Sequence, residues 1–440
     1  MAALPVMPET ADARALRLRS WTLALLTLVY FFSFMDRYIL SILLEQIKAD
    51  LGLNDTQLGL LSGFAFAMFY ATLGIPVAWL ADRKSRRDII AIALTLWSVM
   101  TALCGTAQNF VQLLIFRIGV GVGEAGSSPP SHSIIADLYP PGQRAGAMGI
   151  YSTGVVLGGG FGAIIGGLIA ASYGWRWAMA AVGIPGVLLA LSVRLWMVEP
   201  RRGLSDPAPT SDDPRTMPSL ADGFRSLAAC APAVHLILAV TITSLVGYAT
   251  ANFGPSYLQR SFGMTLTQVS LIYAPAVALT GAFGGIVGGK IADALGRRHG
   301  LHVQAWFVAV LKLAALPFTV AFYLTYDLSV GLGAVLLSYL LASSYLGPSF
   351  ALIQGLAPTR MRAVWAAITL LVINLVGLGL GPTITGLLSD LYRPYFGVES
   401  LRYALLSASL LTPWAVFHYW RAGVMLQRRS QDGQAAPAAA

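Results

Sequence analysis

Long runs of apolar residues recur along almost the whole chain and decide what it can fold into. A bilayer core about 30 Å thick is crossed by about 20 helical residues, and a segment in lipid has to satisfy its own backbone hydrogen bonds, as a helix does. The runs therefore predict twelve transmembrane helices. We place them near residues 19–44, 56–81, 88–106, 110–135, 143–172, 176–198, 232–258, 267–292, 300–324, 329–352, 363–389 and 400–422.

The scarcity of charged residues excludes an ordinary soluble protein. Of the 440 residues, 56% are hydrophobic and 11% are charged, whereas soluble domains carry about 25% charged residues. Too few charged side chains are present to cover two or three water-soluble domains. The net charge of +9 does not indicate nucleic-acid binding, because the basic residues fall in short gaps between apolar runs and form no stripe beside aromatic residues. We predict an all-α membrane protein that binds no nucleic acid.

Basic residues are concentrated in alternate gaps between the predicted spans. The amino-terminal segment, three even-numbered gaps and the carboxyl-terminal tail hold many of them, at Arg14, Arg17, Arg19, Arg83, Lys84, Arg86, Arg87, Arg297, Arg298, Arg360, Arg362, Arg421, Arg428 and Arg429. Odd-numbered gaps hold single basic residues, Lys48, Arg176 and Arg260. Because loops rich in Lys and Arg stay on the cytoplasmic side, we expect both termini in the cytoplasm. We also expect the protein in the plasma (inner) membrane.

A proline-rich gap between the sixth and seventh spans divides the helices six and six. Such a segment is typical of a surface linker. We predict a cytoplasmic N-terminal tail at residues 1–18 and an N-terminal six-helix bundle at 19–198. A cytoplasmic linker at 199–231 then leads to a C-terminal six-helix bundle at 232–422 and a cytoplasmic C-terminal tail at 423–440.

Similar segments follow the second and eighth spans, which suggests a duplicated six-helix unit. They read WLADRKSRR at residues 79–87 and GKIADALGRR at residues 289–298, about 211 positions later. An aspartate there can accept hydrogen bonds from a helix amino terminus in the other half, while arginines bind carbonyl groups and lipid phosphates. We predict a cytoplasmic gate rather than a basic turn that only sets topology, formed by Asp82, Arg83, Arg86, Arg87, Asp293, Arg297 and Arg298.

Four ionisable residues lie within predicted spans, Asp36 and Arg37 in the first and Arg117 and Glu124 in the fourth. Charges in an apolar helix cost several kcal/mol unless they are paired, so they are functional candidates. Successive helical residues point about 100° apart. We therefore expect Arg37 to face the central cavity and Asp36 to face helices of its own half. Arg117 and Glu124 are seven residues apart and share one face.

These carboxylates are candidates for proton coupling. Moving an arginine towards or away from a buried carboxylate changes how readily that carboxylate takes up a proton. We predict that Asp36 and Glu124 are proton switches with Arg37 and Arg117 as charge partners; a permanently ionised structural Glu124 is the alternative. Substrate-binding candidates in the seventh and eleventh spans are Tyr248, Asn252, Phe253, Tyr257 and Asn374, although membrane aromatics more often serve in packing.

The two loop segments resemble the major facilitator superfamily signature Gly-x-x-x-Asp-Arg/Lys-x-Gly-Arg-Arg/Lys. The second copy departs at Ala294, and the first has Ala78 and Ser85 where glycines are usual. Within that superfamily, the run from Arg117 to Ala125, followed by Ile-Ala-Asp-Leu at 135–138 and Gln-Arg at 143–144, resembles the spinster family of lipid transporters. The Asp36–Arg37 pair also matches the spinster Asn-Tyr-x-Asp-Arg stretch, which organic-anion symporters share, except that Ser33 replaces Asn and Phe34 replaces Tyr.

The resemblance implies the major facilitator fold, two pseudo-symmetric six-helix bundles between which a substrate binds near mid-bilayer. It implies secondary active transport of lysophospholipids or sphingoid phosphates by alternating access, with protons as the coupling ion. We expect a monomer among membrane lipids, with no cofactor and no metal. A proton-driven multidrug exporter and an organic-anion symporter remain alternatives. An enzyme is disfavoured because the spans hold no His/Asp pair at helical spacing and no Cys/His set, and the duplicated loops disfavour a channel.

Overall fold

A computed structural model of the chain describes residues 11–205 and 220–431, and those residues form helices and short connections without a strand. Two short helices cover Ala11–Arg17 and Leu220–Ala228. The long helices of the described part are α1 (Arg19–Leu51), α2 (Asp55–Ala81), α3 (Arg86–Cys104), α4 (Phe110–Leu138), α5 (Pro141–Tyr173), α6 (Trp175–Trp196), α7 (Ala231–Phe262), α8 (Leu266–His299), α9 (His302–Leu324), α10 (Leu328–Leu356), α11 (362–396) and α12 (400–431).

The number of crossings is twelve, as the apolar runs predict. Within the described residues, eleven helical stretches are long and apolar enough to cross a membrane. The last, Val364–Gln431, has 68 residues, far more than the about 20 that one crossing needs. It reverses direction around Gly397, whose φ of +55° suits glycine, so that α11 and α12 pack side by side. The predicted tails and linker, 1–18, 199–231 and 423–440, lie partly outside the described residues.

The helices pack as two bundles of six. In the first, α1 lies along α5, and α3 packs between α4 and α6; in the second, α12 packs against α7 and α9, and α10 against α8 and α9. Contacts between the bundles come from α2 with α11, α1 with α7 and α5 with α8. We call the face at which α1 begins and α12 ends the terminal face, and the opposite face the far face.

The start of α2 and the start of α8 share a local structure. Each begins with a capping box, from Asn54 to Gln57 in α2 and from Thr265 to Gln268 in α8, in which two side chains satisfy exposed backbone N–H groups. Each then passes through a five-residue π-helical segment. The cap residues are 211 positions apart, like Asp82 and Asp293 in the two similar loops. This agreement supports a duplicated six-helix unit.

Three buried apolar clusters form the core. The largest joins the two halves near the far face and includes Leu43 of α1, Leu58 of α2 and Tyr257 of α7. Apart from Leu378 of α11, the buried residues of the second cluster belong to the first half, and those of the third all belong to the second half. The halves are therefore packed together at the far face and have separate cores towards the terminal face.

Glycines in α5 allow its close approach to α1. A Cβ atom at Gly162 would lie 2.7 Å from the carbonyl oxygen of Met35, and one at Gly158 would overlap the carbonyl group of Phe31. Small residues of this kind let membrane helices pack tightly where no hydrophobic effect drives them together. The helix that carries Asp36 and Arg37 is therefore held directly against α5.

The packing of α1 on α5 predicts that Gly158→Leu destabilises the protein. The added side chain has no space, so the free energy of unfolding should fall by about 1–3 kcal/mol. Gly149→Leu is the matched control, because nothing lies within 4 Å of a Cβ at that position of α5. Thermal unfolding of the detergent-solubilised variants tests this, and equal unfolding temperatures for both would contradict the packing described.

Candidate functional site

The four ionisable residues singled out from the sequence form two ion pairs inside the first half. Arg37 places Nε and Nη2 each 2.6 Å from Oε2 of Glu124, and Ser33 donates a 2.8 Å hydrogen bond to the same oxygen. Arg117 places Nη1 3.3 Å from Oδ1 of Asp36. Thr101 of α3 donates a hydrogen bond to Oδ2 of Asp36. The two pairs therefore connect α1 with α3 and α4.

Both ion pairs are removed from water. The Asp36 and Arg117 side chains are each 2% exposed, Glu124 is fully buried, and Arg37 is 14% exposed. The Arg37 guanidinium also lies 4.4–4.9 Å from three aromatic ring centroids, those of Phe34, Phe66 and Tyr70. Aromatic rings attract a cation through their quadrupole, which offsets part of the cost of removing it from water.

Each ion pair leaves one polar atom without a partner. Within the described part of the chain, Oε1 of Glu124 and Nε of Arg117 are buried and have no hydrogen bond. A buried polar atom without a partner costs about 1–3 kcal/mol. Oε1 of Glu124 is therefore the one carboxylate oxygen of these two pairs without a hydrogen bond among the described residues.

A cavity of about 510 Å³ lies between the halves beside these pairs. Its walls come from α1 and α5 of the first half and mainly from α7 to α10 of the second. Tyr248 lines it, as does Tyr38, but Arg37 does not. This corrects the expectation that Arg37 faces the central cavity, because its guanidinium turns towards Glu124 on α4. Asp36 faces α3 and α4 of its own half.

The remaining substrate-binding candidates differ in their placement. Phe253 and Tyr257 are fully buried in the core and do not line the cavity, contrary to the expectation; the Tyr257 hydroxyl donates a 2.9 Å hydrogen bond to the carbonyl of Phe322. Asn252 accepts a 2.9 Å hydrogen bond from Ser41 of α1, so it joins the two halves. Asn374 is half-buried in a π-helical segment of α11.

The predicted gate aspartates lie at the terminal face, where the halves have separate cores. Asp82 and Asp293 are exposed, and within the described residues neither side chain forms a hydrogen bond or an ion pair. Arg297 and Arg298 are exposed as well. Arg83 lies over the ring of Trp79, 3.9 Å from its centroid. That these residues close a gate therefore stays a prediction about another conformation.

Arg86 and Arg87, also predicted for the gate, instead bond within the first half. Arg86 donates hydrogen bonds to Glu199 at 2.7 Å and to the carbonyl oxygen of Pro200 at 2.7 Å, and it pairs with Asp137 of α4. Arg87 pairs with Asp88 at 3.0 Å. The buried Arg86 guanidinium thus fixes the start of the linker against α3 and α4.

Sequence reasoning missed an ion cluster that joins the halves at the far face. Arg260 of α7 donates to both oxygens of Glu45 on α1 at 2.7–3.0 Å and to both oxygens of Asp55 on α2 at 2.7 and 2.8 Å. Ser389 of α11 donates a 2.6 Å hydrogen bond to Asp55. Asp390 accepts hydrogen bonds of 3.1 and 2.7 Å from the backbone N–H groups of Asp55 and Thr56.

We call Glu45, Asp55, Arg260, Ser389 and Asp390 the far-face lock. It lies beside the core cluster shared by the two halves, and its carboxylates and guanidinium form charge-assisted hydrogen bonds, which are stronger than neutral ones. A signal for it was present in the sequence: Arg260 is a lone basic residue in an odd-numbered gap, and acidic residues lie around the first such gap.

The geometry of the lock predicts that Arg260→Gln opens the far face. Loss of a hydrogen-bonded charge pair costs about 1.5–3 kcal/mol, which shifts a two-state equilibrium about 10- to 100-fold. Double electron–electron resonance between spin labels at the exposed far-face positions Tyr173 and Tyr326 should show a new, longer distance. Arg176→Gln is the control, since Arg176 pairs with Asp50 inside the first half. Distances unchanged by Arg260→Gln would contradict the role of the lock.

Comparison with known proteins agrees with this architecture. Residues 26–382 match the Major Facilitator Superfamily. An MFS-type efflux pump of Mycolicibacterium smegmatis (strain ATCC 700084 / mc(2)155) is 34% identical over 412 residues, which cover 93% of this chain and 94% of that protein. The sphingosine-1-phosphate transporter SPNS2 of Danio rerio is 26% identical over 401 residues, 85% of this chain and 78% of that protein.

A solved structure shares both the fold and the sequence pattern. The crystal structure of a bacterial homologue of the human lysosomal transporter Spinster, in an inward-facing and unoccupied conformation, matches with a TM-score of 0.86 and 31% identity, over 93% of this chain and 98% of that one. These relatives are transporters and not enzymes, and they confirm the resemblance inferred from the fourth helix. This chain belongs to the major facilitator superfamily of membrane transporters and, within it, to the spinster-like group.

Proposed function

We propose that the protein is a proton-coupled, alternating-access carrier that moves an amphipathic organic anion, of the lysophospholipid or sphingoid-phosphate type, across the plasma (inner) membrane. In this proposal the terminal face is the cytoplasmic face, because most basic loop residues lie there. The observation that carries the proposal is the placement of two carboxylate–arginine pairs, buried in the first half, next to a cavity that both halves line.

The buried pairs supply a means of sensing protons. A proton on Asp36 or Glu124 removes the negative charge that holds Arg117 or Arg37, and a cation without its partner is costly in hydrocarbon. The arginine then moves towards another partner, and the helices that carry the pair move with it. In this scheme, α1 and α4 shift relative to each other whenever a proton is bound or released.

Helix α1 connects the charge pairs with the far-face lock. Asp36 and Glu45 are nine residues apart on α1, which corresponds to about 14 Å along the helix axis. Between them, Ser41 donates a hydrogen bond to Asn252 of α7. Movement of α1 on protonation therefore acts on the contacts that close the far face. Alternating access follows when the lock opens and the predicted gate at the terminal face closes.

The cavity wall favours an amphipathic substrate. Most of its lining residues are apolar or aromatic, with hydroxyl groups at intervals, and a volume of about 510 Å³ lies within the range of small-molecule sites, roughly 300–1,000 Å³. The relationship to a sphingosine-1-phosphate transporter supports a lipid-like anion.

A proton-driven multidrug exporter is the second candidate, favoured by the 34% identity to a protein named as an efflux pump. Both candidates use the same charge pairs, so the substrate separates them. Counterflow into proteoliposomes with a lysolipid panel and a panel of unrelated organic cations decides between them. Saturable flux of lysolipids alone supports the lipid carrier, whereas flux of the cations supports the exporter.

The charge pairs predict that Asp36→Asn and Glu124→Gln remove the dependence of the conformational equilibrium on pH. An amide resembles the protonated carboxyl group, so each variant at neutral pH should populate the conformations that the unaltered protein populates at low pH. Spin-label distances at Tyr173 and Tyr326, recorded from pH 5 to 9, measure those populations.

Asp88→Asn serves as the control, since Asp88 pairs with Arg87 and Arg194 near the surface of the bundle. It should leave the pH profile of the distances unchanged. A profile that is the same in the Asp36 and Glu124 variants as in the unaltered protein would refute proton switching at these residues.

A further inference from the structure

Lys312, near the middle of α9, is a buried cation that the charge pairs and the far-face lock do not use. It is 8% exposed and lines the cavity between the halves. It is the one charged residue among those that line this cavity in the described part of the chain. Within the same residues, no carboxylate lies within ion-pair distance of its ammonium group, and no hydrogen bond is formed by it.

The absence of a protein partner distinguishes Lys312 from the other cations buried in the long helices. Arg37, Arg117, Arg260 and Arg402 each pair with a carboxylate at 2.6–3.3 Å. A single charge removed from water costs several kcal/mol when nothing compensates it. An anionic group that enters the cavity would supply the charge partner that the Lys312 ammonium lacks among the described residues.

An aromatic ring holds the lysine in place. The ammonium nitrogen lies 4.3 Å from the ring centroid of Tyr345, a cation–π contact. The Tyr345 hydroxyl is 3.2 Å from Oγ of Ser244 on α7, which fixes the ring from the opposite helix. The lysine is thus in contact with a ring that also lines the cavity.

The face of α9 that carries Lys312 is turned to the cavity. Ala315, Leu316 and Thr319 follow it at three, four and seven positions and also line the cavity, which is the spacing of a single helix face. Thr319 and Ser338 of α10 share a 2.7 Å hydrogen bond there. The wall further contains six tyrosines, Tyr38, Tyr248, Tyr273, Tyr323, Tyr339 and Tyr345.

This wall has the chemistry of a site for an acidic amphipath. Hydroxyl groups can donate to anion oxygens, and tyrosine rings and small apolar residues can contact a hydrocarbon or aromatic body. A lysine ammonium acts as a point charge without a required fork geometry. Phosphate and carboxylate groups both fit such a cation.

We propose that Lys312 binds the anionic group of the substrate, a phosphate or carboxylate, and that the tyrosine-lined wall contacts its apolar body. The inference rests on the proposed function and makes its substrate class specific. It also assigns the anion to the second half of the protein rather than to Arg37, whose charge is balanced by Glu124. Proton sensing and anion binding then belong to different halves.

Binding of three ligands that share one oleoyl chain tests the proposal. The probes are oleoyl lysophosphatidic acid, oleate and the uncharged mono-oleoylglycerol, titrated against purified protein in nanodiscs by tryptophan fluorescence. Lys312→Met should weaken binding of the phosphate, the carboxylate or both by about 10- to 100-fold, the value of a hydrogen bond to a charged group. Binding of mono-oleoylglycerol should be unchanged, and Lys312→Arg should keep most of the affinity.

Lys290→Met is the matched control, because Lys290 is exposed on α8 and lies outside the cavity; it should bind all three ligands normally. Unchanged binding of both anions to Lys312→Met overturns the proposal. An equal loss for the uncharged lipid also overturns it, since that result indicates a packing role. Comparing the phosphate ligand with the carboxylate ligand distinguishes a lipid headgroup from a fatty acid as the source of the anion.

The measurement is independent of transport. If anion binding depends on Lys312 but the protein transports no lipid, only the carrier proposal is refuted. If the protein transports lipid but anion binding does not depend on Lys312, only the anion site is refuted. If Lys312→Met does not fold, reductive methylation of the unaltered protein answers the same question. Lys312 should then be protected by an anionic ligand and not by mono-oleoylglycerol, and equal labelling in both cases contradicts the proposal.

Discussion

The high cost of an unpaired charge in hydrocarbon is the constraint on which the rest of this structure depends. Inside the first half, Arg37 and Arg117 are paired with Glu124 and Asp36, and those pairs decide how α1 packs against α3 and α4. Each pair is stable only while both charges are present. In the mechanism that we propose, a proton on either carboxylate changes the packing of these helices and so connects protonation of one atom to movement of a bundle.

The two faces of the protein are built differently. At the far face, the halves share one apolar core and the far-face lock, whereas towards the terminal face each half has its own core. Such an arrangement holds the halves together at the far face and leaves fewer contacts to hold them at the terminal face. Helix α1 contributes residues to the ion pairs, the cavity wall and the lock, and in the proposed mechanism it connects these regions.

Much of this architecture could be predicted from the sequence because its causes are local. Apolar runs of sufficient length specify helices, and charges within them stand out, so the twelve crossings and the four residues Asp36, Arg37, Arg117 and Glu124 followed directly. The direction of Arg37 did not follow, because its partner lies 87 residues away. The far-face lock joins residues up to 335 positions apart. Helical periodicity alone also cannot show whether Tyr257 packs in the core or lines the cavity.

The central claim is that the proton gradient drives the substrate through conformations set by buried ion pairs. Proteoliposomes loaded with equal concentrations of oleoyl lysophosphatidic acid on both sides test it most directly, once a pH gradient is imposed across the membrane. Coupled transport predicts net movement of the lipid up its own concentration gradient as that gradient builds. The direction of this movement should reverse when the pH gradient is reversed. Concentrations that stay equal under either gradient, in protein shown to exchange labelled lipid, would contradict the account.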